Sequence, residues 1–453
     1  MAASRAHRDG LYLGEGAGGP VFAPPEHGLL VLGPPRSGKT AAVVVPNVLK
    51  AAGSVLAVST KRDVLDTTAS ARARLGPVLC FDPSGTLDPP PPVRRIGWSP
   101  VAAARRWDHA VLLAESMVGA SRPSDHADAV HWNERAGALL ATLLHAAALA
   151  GTSMYDVVAA VNRRRPERFL DVLARHGAAL ALDLLTGIVE TDEREQSGIW
   201  STASGILAAY RTHEALDATR LEPFDARRFV AERATLYVAV SGEHQRHLAP
   251  LVAGIVRDVR SAAYAARARD ETAPVPRPPV LLVLDELANI APLHDLPALV
   301  AEGASQGLVT LACLQDLSQA RGRFGALADG FLSLFGAKLV LGGIGDVRTL
   351  DTLARLAGEL DVPSASVTFG AGGTFLRRRS TTVAPRRVPR LPADRIARPP
   401  GRHATAVLGA RPARVALTPW YASSPWREAA GLDGPRHAPG RDAGREGPAT
   451  LRR

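Results

Sequence analysis

Short, uninterrupted apolar runs recur along the chain, separated by segments of helix length. "GLLVLG" (28–33), "SVLAVST" (54–60), "PVLCFDP" (77–83), "TLYVAVSG" (235–242), "VLLVLDE" (280–286), "LVTLACLQ" (308–315) and "AKLVLGG" (337–343) read as strands. They are apolar throughout rather than alternating, so each is expected to be covered on both faces, as in a parallel sheet with helical crossovers. Between the third and fourth runs the period changes. Residues 105–220 hold no convincing strand, and "HWNERAGALLATLLHAAAL" spaces its apolar residues as a helix does. The pattern predicts an α/β fold with a mainly parallel sheet and an inserted all-α domain. Past residue 360, "HATAVLGA" and "ARVALTPWY" read as short β pieces around a turn at Arg411 and Pro412. The closing stretch, "GLDGPRHAPGRDAGREGPATLRR", is low-complexity and expected to be disordered.

Composition changes this picture in two places. The 453 residues are 46% hydrophobic, enough for a large core. The net charge of +10 is unevenly placed: residues 371–453 hold 17 Arg against 5 acids, so residues 1–370 carry a net −2. A basic end of this kind suits nucleic acid or an acidic membrane surface. Only four lysines occur (Lys39, Lys50, Lys61, Lys338), so the arginine count partly reflects a general bias of the chain. Cys80 and Cys313 sit far apart in apolar runs and read as buried fillers in a reducing compartment. No His/Cys cluster has metal-ligand spacing; His126 and His131 share a segment but lack partners. The N-terminus shows no signal-peptide pattern, and the longest apolar stretch, residues 138–151, falls short of the ~18–20 residues of a membrane span. The expectation is a cytoplasmic chain.

The chemistry begins at "GPPRSGKT", which fits GxxxxGK[ST] over Gly33, Pro34, Pro35, Arg36, Ser37, Gly38, Lys39 and Thr40. Glycines at the first and sixth positions let the backbone turn tightly, so that N–H groups at a helix start face phosphates. Lys39 then reaches the β- and γ-phosphates, and the Thr40 hydroxyl ligates Mg2+. An apolar strand precedes the motif and a helix-like run follows, as this loop requires. Its partner is expected at the end of another buried strand, and "LLVLDE" supplies Asp285 and Glu286 there. Asp285 is expected to hold Mg2+, directly or through water, and Glu286 to polarise the attacking water. The following strand ends in Gln315, which fits a sensor of the γ-phosphate or, alternatively, an amide capping the next helix.

These residues resemble the coupling proteins of type IV secretion and conjugation, the TraG/TraD group. The matching pieces, in order, are "GPPRSGKT", "STKRD", "FDPSG", "WSPV", the Trp of "HWNERAGALLATLL", "TLYVAVSG", "LLVLDELANIAPL" and "LACLQDLSQ". The phosphate loop is common to many NTPases; "LDELANI" followed by "LQDLSQ" is far more specific. The resemblance implies a RecA-like motor that uses ATP and Mg2+, assembles as a hexameric ring, and delivers single-stranded DNA or a relaxase–DNA substrate to the channel components of a secretion system. It also implies catalytic roles for Lys39, Glu286 and Gln315. The corresponding division is 1–104 for the first part of the nucleotide-binding domain, 105–220 for the all-α domain, 221–421 for the second part, and 422–453 for a basic tail. Arg377, Arg378, Arg379, Arg386 and Arg387 are the DNA-contact candidates, expected on a loop near the ring surface.

Two departures qualify the resemblance. The family's members usually begin with transmembrane helices, so a chain without them would act peripherally at the inner face of the membrane through an anchoring partner. In addition, "AEGASQGL" puts Ala304 where the family commonly carries an Arg that reaches a neighbour's nucleotide; Arg321, Arg323 and Arg348 are the substitutes to consider. Other readings are a slowly hydrolysing, nucleotide-gated recruitment platform and a DNA-pumping ATPase of replication or segregation. A metabolic kinase needs a small-substrate pocket with a positioned acid and base, and the sequence offers none.

Overall fold

The computed structural model describes residues 10–121, 127–240, 245–270, 276–290, 293, 295–369 and 379–431. All seven apolar runs are strands. In chain order the strands are β1 (Tyr12–Gly16), β2 (Gly19–Phe22), β3 (Leu29–Leu32), β4 (Val55–Ser59), β5 (Val78–Phe81) and the two-residue β6 (Arg94–Arg95). Then follow β7 (Thr235–Ala239), β8 (Val280–Leu284), β9 (Leu308–Leu314) and β10 (Ala337–Leu341). The last four are β11 (Glu359–Phe369), β12 (Arg379–Pro389), β13 (His403–Leu408) and β14 (Arg411–Ala416).

Twelve strands form one sheet in the order β2-β1-β14-β13-β10-β3-β9-β8-β4-β7-β5-β6. From β10 to β6 all neighbours are parallel, while β13, β14, β1 and β2 extend one edge antiparallel. Burial of both faces follows from side-chain alternation. Leu30, Leu32, Leu56 and Val58 enter one apolar core, and Leu29, Val31, Val55 and Ala57 the other. A buried guanidinium ties this centre together: Arg72 donates to the carbonyls of Ala51 and Gly53 and to Thr235 Oγ1, and burial pulls its pKa down to about 10.

The helical segment is all-α as expected, with long helices at Trp107–Ser121 and Ala127–Ala150. Its core is continuous with one sheet face, since Leu139, Leu143, Leu185 and Trp200 belong to the same buried cluster as Leu30 and Val58. The helix Gln245–Asp270 that follows β7 packs along Trp107–Ser121.

Three features lie outside the expected pattern. The β1–β2 hairpin was not legible in the chain; it is fixed by Asn47, whose side chain exchanges hydrogen bonds with the N–H (2.7 Å) and carbonyl (3.0 Å) of Tyr12. The β11–β12 ribbon was not legible either, and it replaces the loop expected for Arg379, Arg386 and Arg387. Finally, the chain runs past Tyr421 into a short helix, Ser424–Ala429, whose Trp426 ring lies 5.0 Å from that of Tyr12. The ordered chain therefore extends into the segment expected to be tail. The rest of that segment, 432–453, is outside the described residues.

Candidate active site

The phosphate loop leaves β3 at Gly33, whose N–H donates to the Leu314 carbonyl at 3.1 Å. A Cβ at Gly33 would stand 2.8 Å from Ser37 Oγ and 2.9 Å from Leu341 Cβ, so the tight turn admits only glycine there. Gly38 has φ +95°, a conformation that strains any L side chain. The helix that follows opens with a π turn, Thr40–Val44, and continues as Val45–Lys50. Its first N–H groups lack intrahelical acceptors and carry the positive end of the helix dipole into the cleft.

β9 lies between β3 and β8 in the sheet, and this order sets the cleft's width. Asp285, just past β8, is buried and faces the Thr40 hydroxyl, with its carboxylate oxygens at 3.3 and 3.5 Å. Ser59, ending β4 on the other side, donates to Asp285 Oδ2 at 3.1 Å. Burial raises the Asp285 pKa, and the neighbouring Glu286 adds to this; the Ser59 hydrogen bond and the Lys39 ammonium act against it. A hydroxyl and a carboxylate side by side form a hard oxygen donor set of the kind Mg2+ takes, and a cation there would offset the burial of the charge. Glu286 is half-buried and lines the same cleft.

Lys39 folds back on its own loop, donating to the carbonyls of Gly33 and Pro34, the latter at 3.0 Å. Burial lowers its pKa, opposed by Cys313, Asp285 and Glu286 around it. Gln315 lines the cleft at the end of β9, and its N–H donates to Gln319 Oε1 at 2.9 Å. It does not cap the next helix: Asp316 does, accepting from Ser318 N at 2.9 Å. Ser59 and Gln319 were not singled out in the sequence, and Lys61 and Cys313, which also line the cleft, were named there without a role in it. The available signal was the polar "STK" at the end of β4, which pairs directly with β8. Among the described residues no group of three or more His, Cys, Asp and Glu is placed to hold a metal.

Ala304 caps the helix Leu296–Gly303 at its C-terminal end. Two of the arginines considered in its place are held within their own chain: Arg321 pairs with Asp346 at 2.7 Å, and Arg323 donates to the Ala120 carbonyl at 2.8 Å. Arg348 is exposed. The described DNA-contact candidates are not brought to the cleft. Arg377 and Arg378 lie outside the described residues, Arg379 begins β12, and Arg386 and Arg387 sit exposed on β12 opposite Val362 and Asp361. Arg387 and Asp361 form an exposed ion pair at 3.7 Å. No described helix is long and apolar enough to cross a membrane.

The sequence profile of the family described as type IV secretory system conjugative DNA transfer matches residues 2–384. No curated protein sequence matches the chain significantly. Among solved structures, an unbound monoclinic form of the bacterial conjugative coupling protein TrwBdeltaN70 superposes with TM-score 0.65 at 19% identity, covering 90% of this chain and 88% of that one. The plasmid coupling protein TrwB in complex with ADP and Mg2+ gives 0.63 at 20% identity, covering 88% of this chain and 87% of that one. TrwB with the non-hydrolysable ATP analogue ADPNP gives 0.65 at 19%, covering 91% of each. The shared fold is the RecA-like NTPase core.

Proposed function

Because the chain belongs to the type IV secretory system conjugative DNA transfer family, we propose that it binds ATP and Mg2+ in the cleft at the ends of β3, β8 and β9. Hydrolysis there drives a DNA or DNA–protein substrate toward the secretion channel, in a hexameric ring. The observation that carries this reading is the meeting of Thr40 with Asp285, 245 residues apart, with Ser59 behind them. TrwB, which shares the fold, is described in complex with ADP and Mg2+, and that supports the same pairing of ligands here.

Each side chain has a role that follows from its place. Lys39 exchanges its two carbonyl acceptors for phosphate oxygens, which are stronger partners for an ammonium. Thr40 and Asp285 hold Mg2+, which when bound neutralises charge on the phosphates. Glu286, one residue beyond Asp285, orients and polarises the attacking water, and Gln315 senses whether the γ-phosphate is present. Ala304 supports a second version of this reading, a platform that binds nucleotide to recruit substrate but hydrolyses slowly, since Arg321 and Arg323 are engaged at home.

One measurement separates the versions: ATPase rate with and without single-stranded DNA, alongside assembly by mass. Rates that rise with DNA in a ring support the motor; tight nucleotide binding with a low, DNA-insensitive rate supports the platform. Lys39→Ala should cut nucleotide affinity by about 10-fold or more, the scale of a lost charge-assisted contact, while the fold survives. Wild-type affinity in the folded variant would remove the basis for both.

A further inference from the structure

A cleft of ≈ 600 Å³, larger than the ≈ 230 Å³ of the phosphate-loop cleft, lies in the all-α domain, against the start of the helix Gln245–Asp270. Arg164, Arg211 and His247 line it together with Asn162, Ser201 and Ser204, and among the described residues no acid does. We propose that this cleft seats the phosphodiester backbone of single-stranded DNA. The proposal rests on the DNA-transfer reading above and adds a contact site to it.

The cations are positioned before any ligand arrives. Arg164 ends the helix Met154–Arg163 in the left-handed region (φ 53°), and its guanidinium donates to Ser197 Oγ at 3.4 Å. Arg211 donates to the Ser204 carbonyl at 3.2 Å and Oγ at 3.3 Å, and Ser204 Oγ donates on to Asn162 Oδ1 at 3.2 Å. Neither guanidinium meets a carboxylate among the described residues, whereas Arg135 and Arg168 in the same domain pair with Glu195 and Asp156. Two guanidinium groups therefore share one cleft with no described carboxylate beside them, in a region of the chain whose net charge is slightly negative. That field selects an anion.

The walls select the backbone rather than the bases. Trp200, the large aromatic ring of the described lining, is only 2% exposed and offers no face on which a base could stack. What projects instead are guanidinium, hydroxyl and amide groups, the usual phosphate donors. Contacts of this kind are indifferent to sequence, which suits a chain that transfers DNA rather than reads it.

The test uses the full chain, an oligo-dT probe and affinity measured over a range of salt. Arg211→Gln combined with Arg164→Asn, which tolerates the left-handed backbone, should weaken binding and lower the salt slope by about 1.4, since each lost phosphate contact removes about 0.7 on single strands. Ser201→Asp places a carboxylate on an exposed helical position lining the cleft without touching either arginine, and should weaken binding in the same direction. Unchanged ATP affinity shows that each variant is folded. Wild-type oligo-dT affinity and slope in both variants would overturn the seat while leaving the DNA-transfer reading in place. An acidic peptide that binds the wild type but not the variants, with oligo-dT binding unaffected, would overturn it in favour of a protein partner. Failure of the wild type itself to bind oligo-dT would overturn both.

Discussion

The phosphate-loop cleft and the β11–β12 ribbon both carry side chains expected to meet phosphate, and they are built in opposite ways. In the cleft, Asp285 is buried and held by Ser59 and Thr40; the strands that deliver Asp285 and Ser59 are buried on both faces, and Thr40 opens the helix after the phosphate loop. On the ribbon, every described position from 359 to 367 and from 381 to 387 is exposed, and cross-strand pairing alone fixes the register. Isolated two-stranded ribbons are marginal in water, so its arginines hold no preset geometry for a phosphate. Position in the cleft is set by the core; position on the ribbon is left to the ligand. Substitutions in the first region should therefore act on chemistry, and substitutions in the second on long-range attraction.

The largest effect should come from Glu286→Gln. It keeps the size of the side chain and the loop–Asp285 geometry, so ATP affinity should stay near the wild type. Hydrolysis should fall by about 10²–10⁴-fold, the usual worth of a general base. Equal turnover in the two proteins would strip Glu286 of its role and weaken the claim that the cleft governs chemistry.

A smaller effect tests how Asp285 is held. Ser59→Ala removes its 3.1 Å donor and leaves a buried carboxylate less satisfied, at a cost of about 1–3 kcal/mol. Because that hydrogen bond holds the Asp285 pKa down, the loss raises it further. More of the carboxyl is then protonated at a given pH, so the Mg2+ requirement should shift upward, most clearly at acidic pH. A Mg2+ titration at several pH values checks this. Identical curves for the two proteins would mean that Thr40 and the loop suffice.

Smallest should be the ribbon. Replacing Arg386 and Arg387 by Ala should lower the salt slope of single-stranded DNA binding by at most about 1.4 and leave basal ATPase untouched. A larger loss than the Arg164/Arg211 variant shows would reverse the contrast and make the ribbon the better-organised DNA contact.

What could be read from the chain follows the same division. The seven buried strands were legible because burial on both faces removes polar residues from them. The cleft was legible where one residue type alone can do the job: Gly33 and Gly38 at the turns, Lys39, Thr40, and the Asp285–Glu286 pair after an apolar run. Ser59 was not, because a Ser at a strand end has many uses and only the sheet order places β4 beside β8. The ribbon escaped because strands exposed on both faces show no alternation, and "RSTTVAPRRVP" carries prolines and charge that read as loop. The β1–β2 hairpin escaped for another reason: its anchor is the amide of Asn47, 35 residues away from Tyr12.

The undivided core beneath the all-α segment makes that segment a poor unit of exchange. Leu139 and Leu185 share one apolar cluster with Leu30, Leu56 and Trp98, and the helix Gln245–Asp270 adds Leu251, Val252 and Ile255 to it. A chimera that took only residues 105–220 from a relative would bring half of a packed interface and oppose it to a half shaped for other side chains, and misfit of this kind costs a few kcal/mol at each large contact. A chimera that can be expected to fold moves the segment together with Trp98 and the 245–270 helix. Recombination within the family that respects folding would place its crossover points outside that pair.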